Sequence, residues 1–434
     1  MRKYLFIWTA VAISGMMLSC SSSDAEEDLG ETKTVVNMLS EPQYIQLTAE
    51  QRTFVRDNND FTLKFLKSAN QAGPSGKSFI YSPLSITYVL GMVNAAATGQ
   101  TEQELEQTLG FHKGGIQAVN EYCKNLIDNL PKVDEKVTLN IANAIFVNQD
   151  KATLKAQYQR DMEKYYDAKA EALDFKSPKT LDHINGWCKD KTNDMIPTIL
   201  DEINPELVSY LLNAIYFKAD WSSKFDPKNT KKETFTTEKG STQQPMMHQA
   251  VLISYTHNDT FSAVNIPYGN GMWNMTVLLP ENGKNTDDII EEMAGKGSFM
   301  TTYLSVPMAP YEVDLKLPRF DTTSDTDLLK DKLIGLLKQM GIKLAFDSDF
   351  SQIPNMCEEG GVYISMMRQK AAIKVNEEGS EAAAVTVAGM ALNYSAAEPK
   401  EYPKATFHAN RPFVYIISEA SSNVILFVGK YTGE

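Results

Sequence analysis

The stretch Glu377-Glu378-Gly379-Ser380-Glu381-Ala382-Ala383-Ala384-Val385-Thr386-Val387-Ala388-Gly389 decides how the chain is read, because its composition and its setting conflict. Alanine favours helix and disfavours strand, yet the run follows a strand-like segment at 371–375 and leads into a polar connection over 393–406. Exposed connections this long inside a domain usually carry function. If the stretch becomes extended, successive side chains alternate between faces. Ser380, Ala382, Ala384 and Thr386 then line one face, all small and uncharged, while Glu381, Ala383, Val385 and Val387 line the other. The small face can slide over a packed core while Glu381 stays in water. Composition alone also allows an alanine-rich surface loop or a frayed helix.

Working outward, Thr48-x-x-Gln51 predicts a capping box that opens a helix with Phe54, Phe61 and Phe65 on one face. Pro83 after Ser82 starts a second, apolar helix running to about Ala97, and Thr101-x-x-Glu104 caps a third carrying Leu105 and Leu109. Strand-like runs follow at 138–147, 207–217, 263–266, 274–279, 313–317, 371–375, 413–417 and 424–428. Strands and helices do not alternate regularly, which predicts a mixed α+β architecture rather than a doubly wound sheet. No Gly-, Pro- or Ser-rich linker and no repeat divides residues 45–434, so one large domain is expected despite the 434-residue length.

At the N-terminus, Arg2 and Lys3 precede an apolar run to Leu18, too short to span a bilayer and suited to a signal peptide over residues 1–19. Met17-Leu18-Ser19-Cys20 resembles a bacterial lipobox, which makes Cys20 the expected lipidation site and the membrane a partner through a lipid anchor. Residues 20–44 are polar and acidic, the composition of a flexible tether. An exported lipoprotein of the outer membrane or cell surface is expected. Cys123, Cys188 and Cys357 remain, an odd number that fits three free buried thiols better than a disulfide framework.

The net charge of −13 disfavours nucleic acid as a partner. No H-E-x-x-H, C-x-x-C or G-x-S-x-G occurs, so neither a metal site, a cofactor nor a nucleophile elbow is expected, and the chain is not read as an enzyme. Gly76-Lys77-Ser78 lacks the glycine that a phosphate loop needs five places earlier, where Gln71 stands. His112, His183, His248, His257 and His408 are expected as surface or hydrogen-bonded side chains, and Glu377-Glu378 as a solvated pair facing opposite ways.

Several motifs in order resemble the serpins over nearly all of 45–434. Glu377 to Ala384 is similar to the mobile hinge of inhibitory members. Asn213-Ala-Ile-Tyr-Phe-Lys-Ala-Asp-Trp221, ending in Phe225-Asp226-Pro227, is similar to their strand and breach signature. Tyr81-Ser-Pro-Leu-Ser-Ile86, Ile184-Asn-Gly-Trp187, Met340-Gly341 and Phe407-His-Ala-Asn-Arg-Pro-Phe413 also match. The resemblance implies three β-sheets surrounded by about nine helices, a reactive loop at about 377–406, and a monomer. It places Ser82, Ser85, Asn213, Trp221 and Gln369 at the breach and shutter, with Gln369 where the family often has histidine; its amide is expected to bridge Asn213 and Ser82.

The implied function is a suicide substrate for a serine protease, with a papain-like cysteine protease as a further target. Cleavage near Leu392, Asn393 or Tyr394, with Lys400 and Lys404 as outlying candidates, would free the hinge to enter the central sheet. No Lys or Arg occurs between Gly379 and Lys400, which favours chymotrypsin- or elastase-like targets. Residues from Ser380 to Leu392 would span roughly 43 Å as a strand. The alternative is a non-inhibitory serpin-like surface binding protein.

Overall fold

The computed structural model describes residues 40–434 apart from 75, 113, 296, 298, 301–307, 324–331, 361 and 381–400. Residues 39–434 form one compact unit. The helices are α1 (Ala49–Ala72), α2 (Pro83–Asn94), α3 (Gly99–Leu109), α4 (Gly115–Asn129), α5 (Ala156–Tyr166), α6 (Lys179–Lys191), α7 (Thr286–Gly295) and α8 (Leu333–Met340). The strands are β1 (Phe79–Tyr81), β2 (Thr138–Asn148), β3 (Ala168–Leu173), β4 (Ser209–Asp220), β5 (Lys231–Thr237), β6 (Gly240–His257), β7 (Phe261–Tyr268) and β8 (Trp273–Pro280). They continue with β9 (Ala309–Pro318), β10 (Phe320–Thr323), β11 (Met367–Val375), β12 (Gly379–Ser380), β13 (Lys404–His408), β14 (Phe413–Glu419) and β15 (Ile425–Tyr431). The mixed α+β class is the one observed.

Two sheets carry these strands, not three. One has six strands in the order β10-β11-β12-β4-β2-β3; the other has nine, running β1-β15-β14-β8-β7-β6-β9-β13 with β5 on β6. The expected third sheet is fused to the second by β6. Its 18 residues pair with β9 through Met246–Tyr255 and with β7 through Ser254–His257. Among the described residues there are eight α-helices rather than nine.

Local signals explain much of this. At α1 the capping box forms in full: Thr48 Oγ1 accepts from Gln51 N at 3.1 Å and Gln51 Oε1 accepts from Thr48 N at 3.2 Å. Phe54, Phe61 and Phe65 are all buried. Helix α2 is buried at every position, which its apolar sequence requires, and Ser82 caps it through Ser85 N. The predicted box at Thr101 does not form. Helix α3 begins earlier, after Thr98, and Thr101 is buried inside it, where its hydroxyl accepts from Gln352 N. Glu104 instead accepts from the backbone N–H groups of Lys343 and Leu344, each at 2.8 Å. Ser40 and Gln43, placed in the tether by composition, are hydrogen-bonded to Asp134 and to the Val133 carbonyl. Among the described residues no helix is long and apolar enough to cross a membrane.

Candidate functional site

The six-stranded sheet contains a seam. Strands β4 and β11 run parallel and pair from Leu211 and Met367 to Ile215 and Ala371. Continued, that register would set Ala219 beside Val375; instead each pairs with Ser380. Strand β12 therefore lies between β4 and β11, antiparallel to both, and wedges their ends apart for two residues. This is the entry of a central strand whose lower part is absent at the level where β4 and β11 still pair directly.

The turn into β12 is tight. Asn376 N donates to Gly379 O at 3.0 Å, and Asn376 Oδ1 accepts from Glu378 N and Gly379 N at 2.9 and 3.3 Å. Gly379 has φ of 155°, and a Cβ there would sit 2.0 Å from the Ala219 carbonyl oxygen and 2.6 Å from Asp220 Cα. Only glycine lets the chain slip between the strands at this point. Gly379→Ala is expected to push β12 out, raising the exchange rate of the Ser380 amide about tenfold, equivalent to about 1.4 kcal/mol. Unchanged protection by hydrogen–deuterium exchange would show that the turn accommodates a methyl group.

Trp221 closes the top of the seam. Its ring stacks on Tyr268 with centroids 4.3 Å apart and planes 11° from parallel, and its Nε1 donates to the Asn376 carbonyl at 2.8 Å. Its backbone N–H donates to Glu378 O at 2.7 Å, and that of Phe225 to Glu377 O at 3.0 Å. Below, the fully buried Ser380 hydroxyl shares a hydrogen bond of 2.7 Å with Tyr268 OH. Burial drives the Tyr268 phenol far above its ordinary pKa, so it stays neutral.

Glu377 and Glu378 sit in the turn and meet different partners, and they are not the solvated pair expected. The Arg319 guanidinium grips Glu377, with Nε 2.8 Å from both carboxylate oxygens, and Thr230 donates a further bond. Burial pushes the Glu377 carboxyl up, but the bonds from Arg319 and Thr230 outweigh it and hold the pKa below the ordinary range. Glu378 meets Lys224, which also contacts Asp220 at 2.8 Å. Each end of the turn is thus tied to a cation from elsewhere in the chain. A cavity of about 500 Å³ opens beside this turn, lined by Arg319, Asp321, Lys374 and Glu378 among others.

Lower in the seam, Asn143, Asn213 and Gln369 stand abreast on β2, β4 and β11. Gln369 takes both polar groups of one residue: its Oε1 accepts from Ser82 N at 3.3 Å and its Nε2 donates to Ser82 O. Ser85 Oγ donates to Ser82 Oγ at 3.0 Å. The expected bridge is half formed: both hydrogen bonds of the Gln369 amide go to the Ser82 backbone and neither reaches Asn213. Asn213 donates to Asn143 Oδ1 at 2.8 Å, and Asn143 in turn to the Tyr166 carbonyl at 3.1 Å. Among the described residues, Asn213 Oδ1 is buried without a hydrogen-bond partner, a state that ordinarily costs about 1–3 kcal/mol.

Cys20, the positions Glu381, Ala382, Ala383, Ala384, Val385 and Thr386, and the cleavage candidates Leu392, Asn393, Tyr394 and Lys400 lie outside the described residues. Lys404 opens β13 and pairs with Glu312. Cys123, Cys188 and Cys357 are free and buried; burial pushes the thiols up to about 12, 12 and 11, so none is a thiolate near neutrality. Among the described residues no cluster of His, Cys, Asp or Glu could hold a metal. Sequence reasoning passed over Asn143, Tyr268, Arg319, Thr230 and Lys224. Asn143 had a signal, a polar amide in the middle of an apolar strand; the others meet the turn only through the fold.

The serpin family model, described as serine protease inhibitor, matches residues 56–433. Human Serpin B11 is 31% identical over 396 residues, covering 86% of this chain and 97% of its own. Serine protease inhibitor 42Dd of Drosophila melanogaster is 30% identical over 364 residues, with 82% and 91% covered. Among solved structures, the native state of the thermophilic serpin tengpin superposes with a TM-score of 0.77 at 25% identity, covering 92% of this chain and 98% of that one. Human thyroxine-binding globulin complexed with its hormone shares the fold, with a TM-score of 0.76 at 24% identity, covering 89% of this chain and 100% of that one. With these matches and a strand begun between β4 and β11, the chain belongs to the serpin family.

Proposed function

We propose that this protein is a suicide-substrate inhibitor of serine proteases, and of papain-like cysteine proteases where they reach it, held at a bacterial surface through Cys20. The observation that carries the proposal is Ser380, already seated between Val375 and Ala219. Extending its register sets Ala382 beside Ile373 and Phe217, Ala384 beside Ala371 and Ile215, and Thr386 beside Gln369 and Asn213. Each of these positions repeats the inward direction of Ser380. Small side chains are what such positions accept, and the Thr386 hydroxyl arrives where Asn213 Oδ1 lacks a donor.

Serpin loop insertion is a known case of strand addition with release of strain. The target's nucleophile attacks the loop carbonyl, the peptide bond breaks, and an acyl-enzyme forms with the leaving amine carried on the C-terminal fragment. The freed end then replaces the direct β4–β11 pairing with two antiparallel ladders. In the same register β4 offers partners down to Ser209, opposite Met390. The paired run of Glu381 to Met390 is about 33 Å long. Catalytic groups are supplied by the target; this chain supplies the bait, the seam and the race against deacylation. The apolar Met390 and Leu392 favour chymotrypsin- or elastase-like enzymes.

Incubation of the soluble chain with chymotrypsin-, elastase-, trypsin-, subtilisin- and papain-type proteases tests this. A detergent-stable adduct is expected with at least one apolar-specific serine protease, with a released C-terminal peptide whose mass places the cut between residues 390 and 396. Cleavage by every enzyme with no adduct would refute inhibition and favour the non-inhibitory alternative.

A further inference from the structure

At the free edge of the nine-stranded sheet, two imidazoles share one carboxylate. Asp314 on β9 has Oδ1 2.5 Å from His248 Nε2 on β6 and Oδ2 2.8 Å from His408 Nε2 on β13. Both histidines stand beside Lys316 in register, one on each neighbouring strand. Asp314 lies two residues from Lys316, on the same face.

Strand β13 has little else to hold it. It is an edge strand with a five-residue parallel ladder to β9, and Phe407 is its one fully buried side chain. The charged groups on the surrounding strands are Glu312 and Lys316 on β9, Lys404 on β13 and Lys231, Lys232 and Glu233 on β5. Lys316 is drawn to Glu233, with Nζ 2.9 and 2.7 Å from its two oxygens, and Lys404 lies 3.8 Å from Glu312. Neither ammonium is bonded to Asp314, whose side-chain partners among the described residues are the two imidazoles.

We propose that His248, Asp314 and His408 form a proton-controlled fastener that sets how firmly β13, and with it the distal end of the reactive loop, stays on the sheet. Imidazole is the side chain whose charge ordinarily changes between pH 5 and 8. When both rings are protonated, Asp314 joins the two outer strands through two charge-assisted hydrogen bonds; when they are neutral, the same contacts are ordinary hydrogen bonds of roughly half the strength. The hydrogen bond from His248, followed by that from His408, holds the Asp314 carboxyl below its usual range, so it stays anionic throughout this window. The fastener is tight in acid and loose in alkali. Because β13 anchors the chain that begins at Ser380, its loosening gives an uncut loop slack to enter the seam; this second step rests on the proposed inhibitory function.

Hydrogen–deuterium exchange of the full chain at pH 5.5 and 8.0, corrected for intrinsic rate, reads the fastener directly. Amides of residues 404–408 are expected to exchange at least fivefold faster at pH 8.0, and the ratio is expected to fall to one in Asp314→Asn and in His408→Gln, which keeps a donor but cannot take a second proton. A wild-type ratio of one, or a ratio that stays at its wild-type value in both variants, overturns the proposal. In parallel, inhibitory capacity during incubation at 37 °C should decay several-fold faster at pH 8.0 than at pH 5.5. Decay indifferent to pH alongside pH-dependent exchange overturns the link to the loop, while a chain that never inhibits any protease overturns the inhibitory function and leaves the exchange result to judge the fastener alone.

Discussion

With the inhibitory function proposed above, Ser380→Arg should turn the protein from an inhibitor into a substrate. Ser380 is fully buried between β4 and β11, and its hydroxyl is bonded to Tyr268 OH. An arginine there has two outcomes. It stays out of the seam, or it buries a guanidinium among Tyr268, Phe217 and Trp221 with no anion facing it. An unpaired buried charge costs several kcal/mol, and each 1.4 kcal/mol of added barrier slows insertion about tenfold. Because insertion competes with deacylation, a delay of this size lets hydrolysis win. The variant is expected to be cleaved at the wild-type rate while the adduct yield falls more than tenfold. Adduct at wild-type yield would mean that trapping does not pass through the Ser380 position.

The second large effect is thermal. Completing the strand from Glu381 to Met390 adds two ladders and removes the five-residue pairing of Met367–Ala371 with Leu211–Ile215, for a net gain of about ten backbone hydrogen bonds. At ~0.5–1.5 kcal/mol each, that is on the order of 10 kcal/mol. Unfolding entropy near 2.1 cal/mol/K per residue gives about 0.8 kcal/mol/K for a domain of this size, so the Tm of the loop-cleaved chain should rise by about 10 °C or more. Differential scanning calorimetry before and after a single nick in the loop measures it. Coincident melts would show that the intact sheet holds no unfilled position. Part of the gain should come from Asn213. In Asn213→Ala the unpaired acceptor is gone from the intact form, so the gap between intact and nicked melts is expected to shrink by a few degrees.

What was legible in the sequence was local. The box at Thr48 and Gln51 needs only a single turn of helix to form, and the alternation from Ser380 onward needs only an extended chain. The same local logic misassigned Thr101 and Glu104, because Glu104 is captured by the backbone of Lys343 and Leu344, some 240 residues away in sequence. Strand β6 was passed over: Pro245, paired glutamines and half-exposed positions hide its alternation, and with it went the joining of two expected sheets into one. The His248–Asp314–His408 cluster was invisible for the same reason, since two of its three strands were not foreseen. Gln369 meets one of its two expected partners, Ser82, and not the other, Asn213. Its nearest polar groups belong to the Ser82 backbone, which a spacing argument cannot see.

The two sheets differ in how they respond to load. In the six-stranded sheet, β4 and β11 are joined by five residue pairs, a line along which lateral tension can unzip one rung at a time. In the nine-stranded sheet, the covalent backbone of β6 crosses from one half to the other, so separating those halves means shearing many rungs at once. In the mechanism proposed above, an enzyme hauled along the first sheet would be pulled against the second as an anvil, which the continuous backbone of β6 holds together.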